Sequence, residues 1–360
     1  MKVRSVVFNL HLYTGLAVGL LLVLSGLTGS LLVFREEIEG LVYPELMKTA
    51  PRDERVPVQA VLEAVGRAYP QDRPFSIRLP RTPQQTYLVR MNGAHDLLVY
   101  ADPYSGKILG ALRQEDTFTG WISLLHTQLL SGERGETLLG IGAMLLVCMG
   151  VTGIILWWPR HGKISPGFKI RWPAHWKKVN FDLHRASGIY AALFLLITAF
   201  TGVSLVFNKN VAGLINAVTQ SPARTAPPLS EPLLAGMPTP SLDMLLQQAD
   251  HIPPATVITW INFPQTPRAP WVVRKKLPQE SHPNGRNFIY LDQYTGRVLQ
   301  VENTLEAPLG TRINNVLYLI HIGVIGGTPT RILQVAVGLS PTVLFVTGFV
   351  RWKNRRKGKR

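Results

Sequence analysis

Four stretches of the chain stay apolar for longer than a globular helix requires: residues 9–34, 136–158, 182–207 and 331–352. A helix rises 1.5 Å per residue, so about 20 apolar residues cross the hydrocarbon core of a bilayer. A chain with four such runs is expected to be a multi-pass helical membrane protein. The segments between the runs must then fold outside the lipid. The first run reads as a retained span. Its apolar part exceeds the ~7–15 residues of a signal-peptide core, and no A-x-A-like site follows.

Charge sets the expected orientation. Sixteen of the 38 Lys and Arg residues lie in 1–8, 159–185 and 351–360, against one acid, Asp182. The remaining 22 basic residues face 21 acids. The net charge of +16 is therefore a topology signal and not one for nucleic acid. Residues 1–8, the 159–181 loop and the 353–360 tail are expected in the cytoplasm, and 35–135 and 208–330 outside. The single cysteine, Cys148, lies inside the second run, which excludes an internal disulfide, a C-x-x-C-H haem attachment and a Cys-ligated cluster.

The two halves match each other. LHLYTGLAVGLLLVLSGLTGSLLVF (10–34) parallels LHRASGIYAALFLLITAFTGVSLVF (183–207), and VYADPYSGKIL (99–109) parallels IYLDQYTGRVL (289–299). LLH at 124–126 parallels LIH at 319–321, and TGIILWW at 152–158 parallels TGFVRWK at 347–353. The unit is span, outer domain, short His-bearing segment, span, and both copies enter from the same side. The expected fold is membrane α-helical, four spans in two parallel repeats, plus two small α+β outer domains over 35–118 and 208–310. Each domain reads as one helix (56–70, 241–250) followed by four strand-like runs. The segments 119–135 and 311–330 are expected to carry short helices, 121–130 and 313–325, at the outer interface.

Four of the nine histidines occupy matched positions: His11 with His184, and His126 with His321. Ionisable groups near a span are expensive and tend to serve function. His11 and His184 both begin outward-going spans. His126 and His321 both precede inward-going ones. Each depth therefore holds two histidines from opposite halves, as two axial ligands of a b-type haem require. Two haems are the expected cofactors. Gly15 and Gly188 lie one turn beyond their histidines and would leave room for the ring. Zinc or copper fits less well, because neither level offers a carboxylate or thiolate companion. A purely structural role for both pairs is the competing reading. Gly26, Gly29 and Gly202, with Ser25 and Thr28, read as packing notches. Arg185 on the inner side, and Arg134 and Arg331 on the outer side, are candidates to neutralise haem propionates, with interfacial snorkelling as the alternative. Trp121, Trp260 and Trp271 are candidates to stack on a ligand or to pack. His95, His161, His175, His251 and His282 have no matched partner and read as solvated or structural.

With spans opening on H-x-x-x-G and closing on T-G-x-x-x-W-W-P-R, and helix-plus-sheet modules between them, nearly the whole chain resembles the PepSY-associated transmembrane family of bacterial inner-membrane proteins. The resemblance implies PepSY-like periplasmic domains and haem-bearing spans. It also implies activity like that of the ferric-siderophore reductases of the ferrioxamine type, with His11, His126, His184 and His321 in the family's histidine positions. The second copy departs at its end, with GFVRWKNR for GIILWWPR, which leaves the role of the Trp pair open. No G-x-G-x-x-G follows a strand, so the electron donor is expected to be a quinol or a separate protein. The rivals are a membrane-anchored binding or regulatory protein, a siderophore or metal transporter, and haem electron transfer to another acceptor.

Overall fold

A computed structural model describes residues 2–93, 96–231, 240–253 and 256–357. In chain order the helices and strands are α1 (Lys2–Leu32), α2 (Arg35–Val42), α3 (Pro44–Met47), α4 (Val58–Ala68), β1 (Arg73–Arg78), β2 (Tyr87–Asn92), β3 (Leu97–Ala101), β4 (Ile108–Arg113), α5 (Phe118–Gln128) and α6 (Gly132–Trp157). After a basic loop come α7 (Trp176–Val206), α8 (Asn208–Val218), α9 (Leu242–His251), β5 (Val257–Asn262), β6 (Trp271–Lys276), β7 (Asn287–Leu291), β8 (Val298–Glu302), α10 (Leu309–His321) and α11 (Thr328–Lys357). They form two compact units: Met1–Phe34, Ile122–Ile215 and Val316–Arg360 in one, Arg35–Trp121 and Asn216–Asn315 in the other.

The first unit is a four-helix bundle. α1, α6, α7 and α11 are each long and apolar enough to cross a membrane. They run past the apolar runs that mark them, because flanking polar and basic residues continue the helix beyond the hydrocarbon. α1 packs on α6 and α11, and α7 packs on the same two, so α1 and α7 share one diagonal. Small residues permit close approach. Gly26 lies against the Gly338 carbonyl, where a side chain would have no room, and Ser30 Oγ donates to the Val335 carbonyl at 3.2 Å. Arg4 on α1 donates to the carbonyls of Leu156 (2.6 Å) and Trp158 (3.1 Å) at the end of α6, where a cation suits the helix dipole. α5 turns into α6 through left-handed backbone at Leu129, Leu130 and Gly132 (φ 48°, 55° and 60°).

The second unit departs from the expectation of two separate modules. Its eight strands form one antiparallel sheet, ordered β4-β3-β2-β1-β5-β6-β7-β8. The two four-stranded meanders join at β1 and β5, with Ile77 opposite Ile261. The physical reason is the edge. Alone, each meander would expose an unpaired row of N–H and C=O groups, and pairing the two satisfies both. One face buries Ile77, Val89, Val99, Ile261, Val273, Ile289 and Leu291 beneath Val61 and Val65 of α4 and Leu242 and Leu245 of α9. The two helices also cap each other. Val58 N–H donates to Asp243 Oδ1 at 3.0 Å, and Leu242 N–H donates to Gln59 Oε1 at 3.3 Å. The matched D-x-Y-x-G turns sit before β4 and β8. Asp102 and Asp292 accept from the backbone N–H two residues on (2.8 and 3.0 Å), and Gly106 and Gly296 supply φ of 70° and 73°.

Strand-like runs placed all eight strands to within two or three residues, and the helices expected over 56–70 and 241–250 are α4 and α9. The His-bearing helices begin three or four residues earlier than 121–130 and 313–325. α2 and α8, which follow α1 and α7, have no counterpart in the sequence reading. Residues 232–239, His95 and the last three residues of the basic tail lie outside the described residues.

Candidate functional site

The matched histidines come together in pairs within the bundle. The rings of His11 (α1) and His184 (α7) have centroids 6.5 Å apart. Those of His126 (α5) and His321 (α10) are 6.4 Å apart. Each histidine is held by the neighbouring helix, and the same dipeptide does the holding four times. His11 Nδ1 lies 3.0 Å from Thr152 Oγ1, and its Cε1 lies 3.2 Å from where a Cβ on Gly153 would stand. His126 meets Thr28 at 3.0 Å and the Gly29 position at 2.9 Å. His184 meets Thr347 at 2.9 Å and the Gly348 position at 3.3 Å. His321 meets Thr201 at 3.0 Å and the Gly202 position at 3.5 Å. The threonine bonds the ring and the following glycine leaves space for it.

The hydrogen bonds fix the tautomer. Each threonine hydroxyl donates to a carbonyl one turn back on its own helix: Thr152 to Cys148 (2.8 Å), Thr28 to Leu24 (2.8 Å), Thr347 to Val343 (2.6 Å) and Thr201 to Ile197 (3.0 Å). With a hydroxyl's one proton on that carbonyl, it accepts toward the histidine, and Nδ1 then carries the hydrogen of the neutral ring while Nε2 keeps its lone pair. Metal-binding histidines show this division of labour, one nitrogen donating to a fixed acceptor and the other free to ligate.

Depth separates the pairs. From His11 to the Thr28 seat of His126 is seventeen residues along α1, and from His184 to the Thr201 seat of His321 is seventeen along α7. At 1.5 Å per residue each interval is about 25 Å, most of the thickness of a bilayer core.

The chain matches a family described as PepSY-associated TM region over residues 8–355. It belongs to that family. Membership and the four apolar helices make it a multi-pass membrane protein in contact with the lipid bilayer. A search of curated proteins found no match.

Haem suits the geometry of this PepSY-associated bundle. A ligating imidazole nitrogen sits about 2 Å from its metal and about 1 Å from its own ring centre, so two imidazoles on opposite sides of one metal place their centres roughly 6–6.5 Å apart. Both pairs meet that separation. Among the described residues, no group of three or more His, Cys, Asp or Glu is placed to hold a metal ion, so neither pair has a further such side chain beside it. At Gly188 only Leu344 Cδ2, at 3.6 Å, lies within 4 Å of an added Cβ, and at Gly15 only Met149 Cε, at 3.1 Å. Gly188 leaves room beside its histidine, whereas the Met149 side chain already fills the space at Gly15.

The arginines are used differently from one another. Arg331 donates to the Val33 carbonyl (2.7 Å) and stacks over Phe34 (4.2 Å), closing the end of α1. Arg185 bonds the Pro166 carbonyl and lies 3.7 Å from Asp182, whose carboxylate is fully buried and also pairs with Arg171 at 2.8 Å. Arg134 is exposed. One guanidinium near these histidines was not among the sequence candidates. Arg351 stacks on Phe181 (4.3 Å) and acts electrostatically on both His11 and His184. Its place in the basic tail concealed it among seven cations. The seats carried a partial signal: every span contains a T-G pair, at 28, 152, 201 and 347, but α1 holds a second at Thr14-Gly15 that seats no histidine ring. Gly26 is a packing notch, whereas Gly29 and Gly202 are histidine seats.

The other singled-out residues have structural places. Trp271 packs edge-on to Phe263 (5.2 Å) beside the sheet core, and Trp260 lies half-buried on β5. Trp121 is 46% exposed. Trp157 of the Trp pair donates to the Gly167 carbonyl (3.2 Å), pinning the loop between α6 and α7. His175 caps α7 by accepting from Lys177 N–H, while His161 and His251 are exposed. His282 is buried against Arg274. Burial, then the neighbouring Arg274, Arg286 and Lys276, hold its pKa down to about 3.

Proposed function

We propose that this protein is a two-haem electron carrier of a bacterial inner membrane that reduces ferric siderophore on the periplasmic side. His11 and His184 would hold one haem near the cytoplasmic face, and His126 and His321 the other near the periplasmic face. The observation that carries the reading is the pairing itself. Four histidines from opposite halves meet as two pairs at the separation that one metal between two imidazoles would set, and each is held by the same Thr-Gly dipeptide.

A b-type haem held between two histidines would supply reversible one-electron Fe(III)/Fe(II) chemistry in preference to oxygen binding. The chain's residues would supply the rest. Four histidines would hold the two groups, four threonines would orient the histidines, and the apolar bundle would exclude water. Arg351 places positive charge beside the first pair, where it favours the reduced state. The electron enters from a quinol or a separate protein. The acceptor takes one electron as Fe(III) becomes Fe(II), and hard oxygen donors bind the reduced ion less tightly. The two-repeat organisation and PepSY-like character of the fused sheet belong to the same reading. The size of that sheet favours a second one, a membrane-anchored binding or regulatory protein.

The test is a dithionite-reduced minus oxidised spectrum of the purified protein with a haem-to-protein ratio, beside His11→Ala and His126→Ala. Two low-spin b-type haems per chain, one lost in each variant, support the carrier. A colourless protein after expression with iron and haem supplied leaves the binding reading.

A further inference from the structure

The two histidine pairs match in separation but not in ring orientation. The planes of His11 and His184 stand at 85°, while those of His126 and His321 stand at 46°. We infer that Thr28, Thr152, Thr201 and Thr347 are positioning residues that preset the imidazole planes, so that the protein holds two electronically unlike metal centres. This rests on the haem reading above.

Each ring is held at two points. Nδ1 is tethered to a hydroxyl whose own proton is committed to its helix, and Cε1 rests against the following glycine. Turning the ring about its bond to Cβ would swing Nδ1 off the oxygen and drive the ring edge into the glycine backbone. The plane of each ring therefore belongs to its seat and not to whatever binds between the two.

The angle has electronic consequences. An imidazole mixes its filled π orbital with the iron d orbital perpendicular to its own plane. Two rings at right angles raise one orbital each, and the pair stays nearly equal in energy. Two rings at an oblique angle raise one orbital more than the other, and the pair splits. The His11/His184 centre is thus expected near-axial, and the His126/His321 centre more rhombic. Unlike centres need not share a potential, and second-sphere hydrogen bonding is one of the levers by which a protein sets that potential. The seats would then do more than hold haem. They would make the two ends of the bundle different.

The experiment is low-temperature electron paramagnetic resonance of the oxidised, full-length holoprotein in detergent. Two low-spin ferric signals are expected, one highly anisotropic and near-axial, the other rhombic. His11→Ala should remove the first and His126→Ala the second. Thr152→Val and Thr347→Val should shift only the near-axial signal, with haem content held near two per chain, because valine keeps the shape and loses the acceptor. Thr152→Ser and Thr347→Ser restore the hydroxyl and should restore the wild-type signal. If a valine variant fails to fold or loses haem, its serine counterpart carries the test, and an altered signal in a serine variant that keeps both haems overturns the inference. Two indistinguishable signals, or valine variants with unchanged signals, also overturn it while leaving the haem reading standing. A protein without a haem spectrum sinks both.

Discussion

Adding one methyl group at each of Gly29, Gly153, Gly202 and Gly348 distinguishes a seat for a histidine from an ordinary helix notch, because the four sites are graded. An added Cβ would stand 2.9 Å from His126 Cε1 at Gly29, 3.2 Å from His11 Cε1 at Gly153, 3.3 Å from His184 Cε1 at Gly348 and 3.5 Å from His321 Cε1 at Gly202. Two opposing effects set the sign. Alanine is favoured over glycine inside a helix by up to about 1 kcal/mol, and crowding a packed interior costs about 1–3 kcal/mol. At Gly202 the contact is ordinary, so Gly202→Ala is expected to be neutral or stabilising by up to about 1 kcal/mol. At Gly29 the ring cannot retreat without leaving Thr28, so Gly29→Ala is expected to destabilise by about 1–2 kcal/mol net and to lose the haem of the second pair alone. Gly153→Ala and Gly348→Ala should fall between. The assay is thermal unfolding of the full-length protein in detergent, with the haem-to-protein ratio of each variant. A Gly29→Ala protein as stable as wild type with two haems, or a Gly202→Ala protein as damaged as Gly29→Ala, would refute the seat geometry.

Two further outcomes are expected. His282 is neutral in the fold, with a pKa of about 3 against 6.5 when unfolded, so the unfolded chain takes up the proton first as pH falls. Stability is therefore retained above pH 6.5 and lost progressively from there toward pH 3, by about 2 kcal/mol at pH 5. Asp292 adds to the loss further down. Desolvation raises its pKa, but hydrogen bonds from Thr295, Tyr294 and Glu231 outweigh that and hold it below the ordinary carboxylate value. Thermal unfolding at pH 7.5 and pH 5.0 measures the slope, and His282→Gln should flatten it. Arg351→Gln removes a positive charge that acts on His11 and His184, so one of two midpoint potentials should move downward in a redox titration while the other stays. Equal movement of both, or of neither, would detach Arg351 from that pair.

Periodicity and run length made most of the fold legible. Four apolar runs mark α1, α6, α7 and α11, and alternating residues with D-x-Y-x-G turns mark the strands. The pairing of β1 with β5 was not legible, because nothing local to FSIRL or TVITWI says which edge will meet which. The reciprocal capping of α4 and α9 by Asp243 and Gln59 was hidden for the same reason, since each partner lies more than 180 residues from the other.

The candidate site divides along the same line. The four histidines stood out because each has a match in the other half, and depth alone suggested which would pair. Their seats did not stand out, because a threonine in a span is most simply read as bonding its own backbone, and a glycine as a place where helices touch. Both readings describe part of what these residues do. The hydroxyl does bond its own helix, and that is why it can only accept from the histidine. The glycine does admit a neighbour, and that neighbour is an imidazole edge. One dipeptide thus fixes both the proton and the plane of each ring, and it must stand on a helix antiparallel to the one bearing the histidine or leading into it. His11 begins α1 and is met by Thr152 near the end of α6, and His184 begins α7 and is met by Thr347 in the second half of α11. His126 and His321 just precede α6 and α11 and are met by Thr28 and Thr201 near the ends of α1 and α7. A span that goes out carries the seat for the histidine of the span that comes back. Four antiparallel contacts of this kind hold two histidine pairs at two depths.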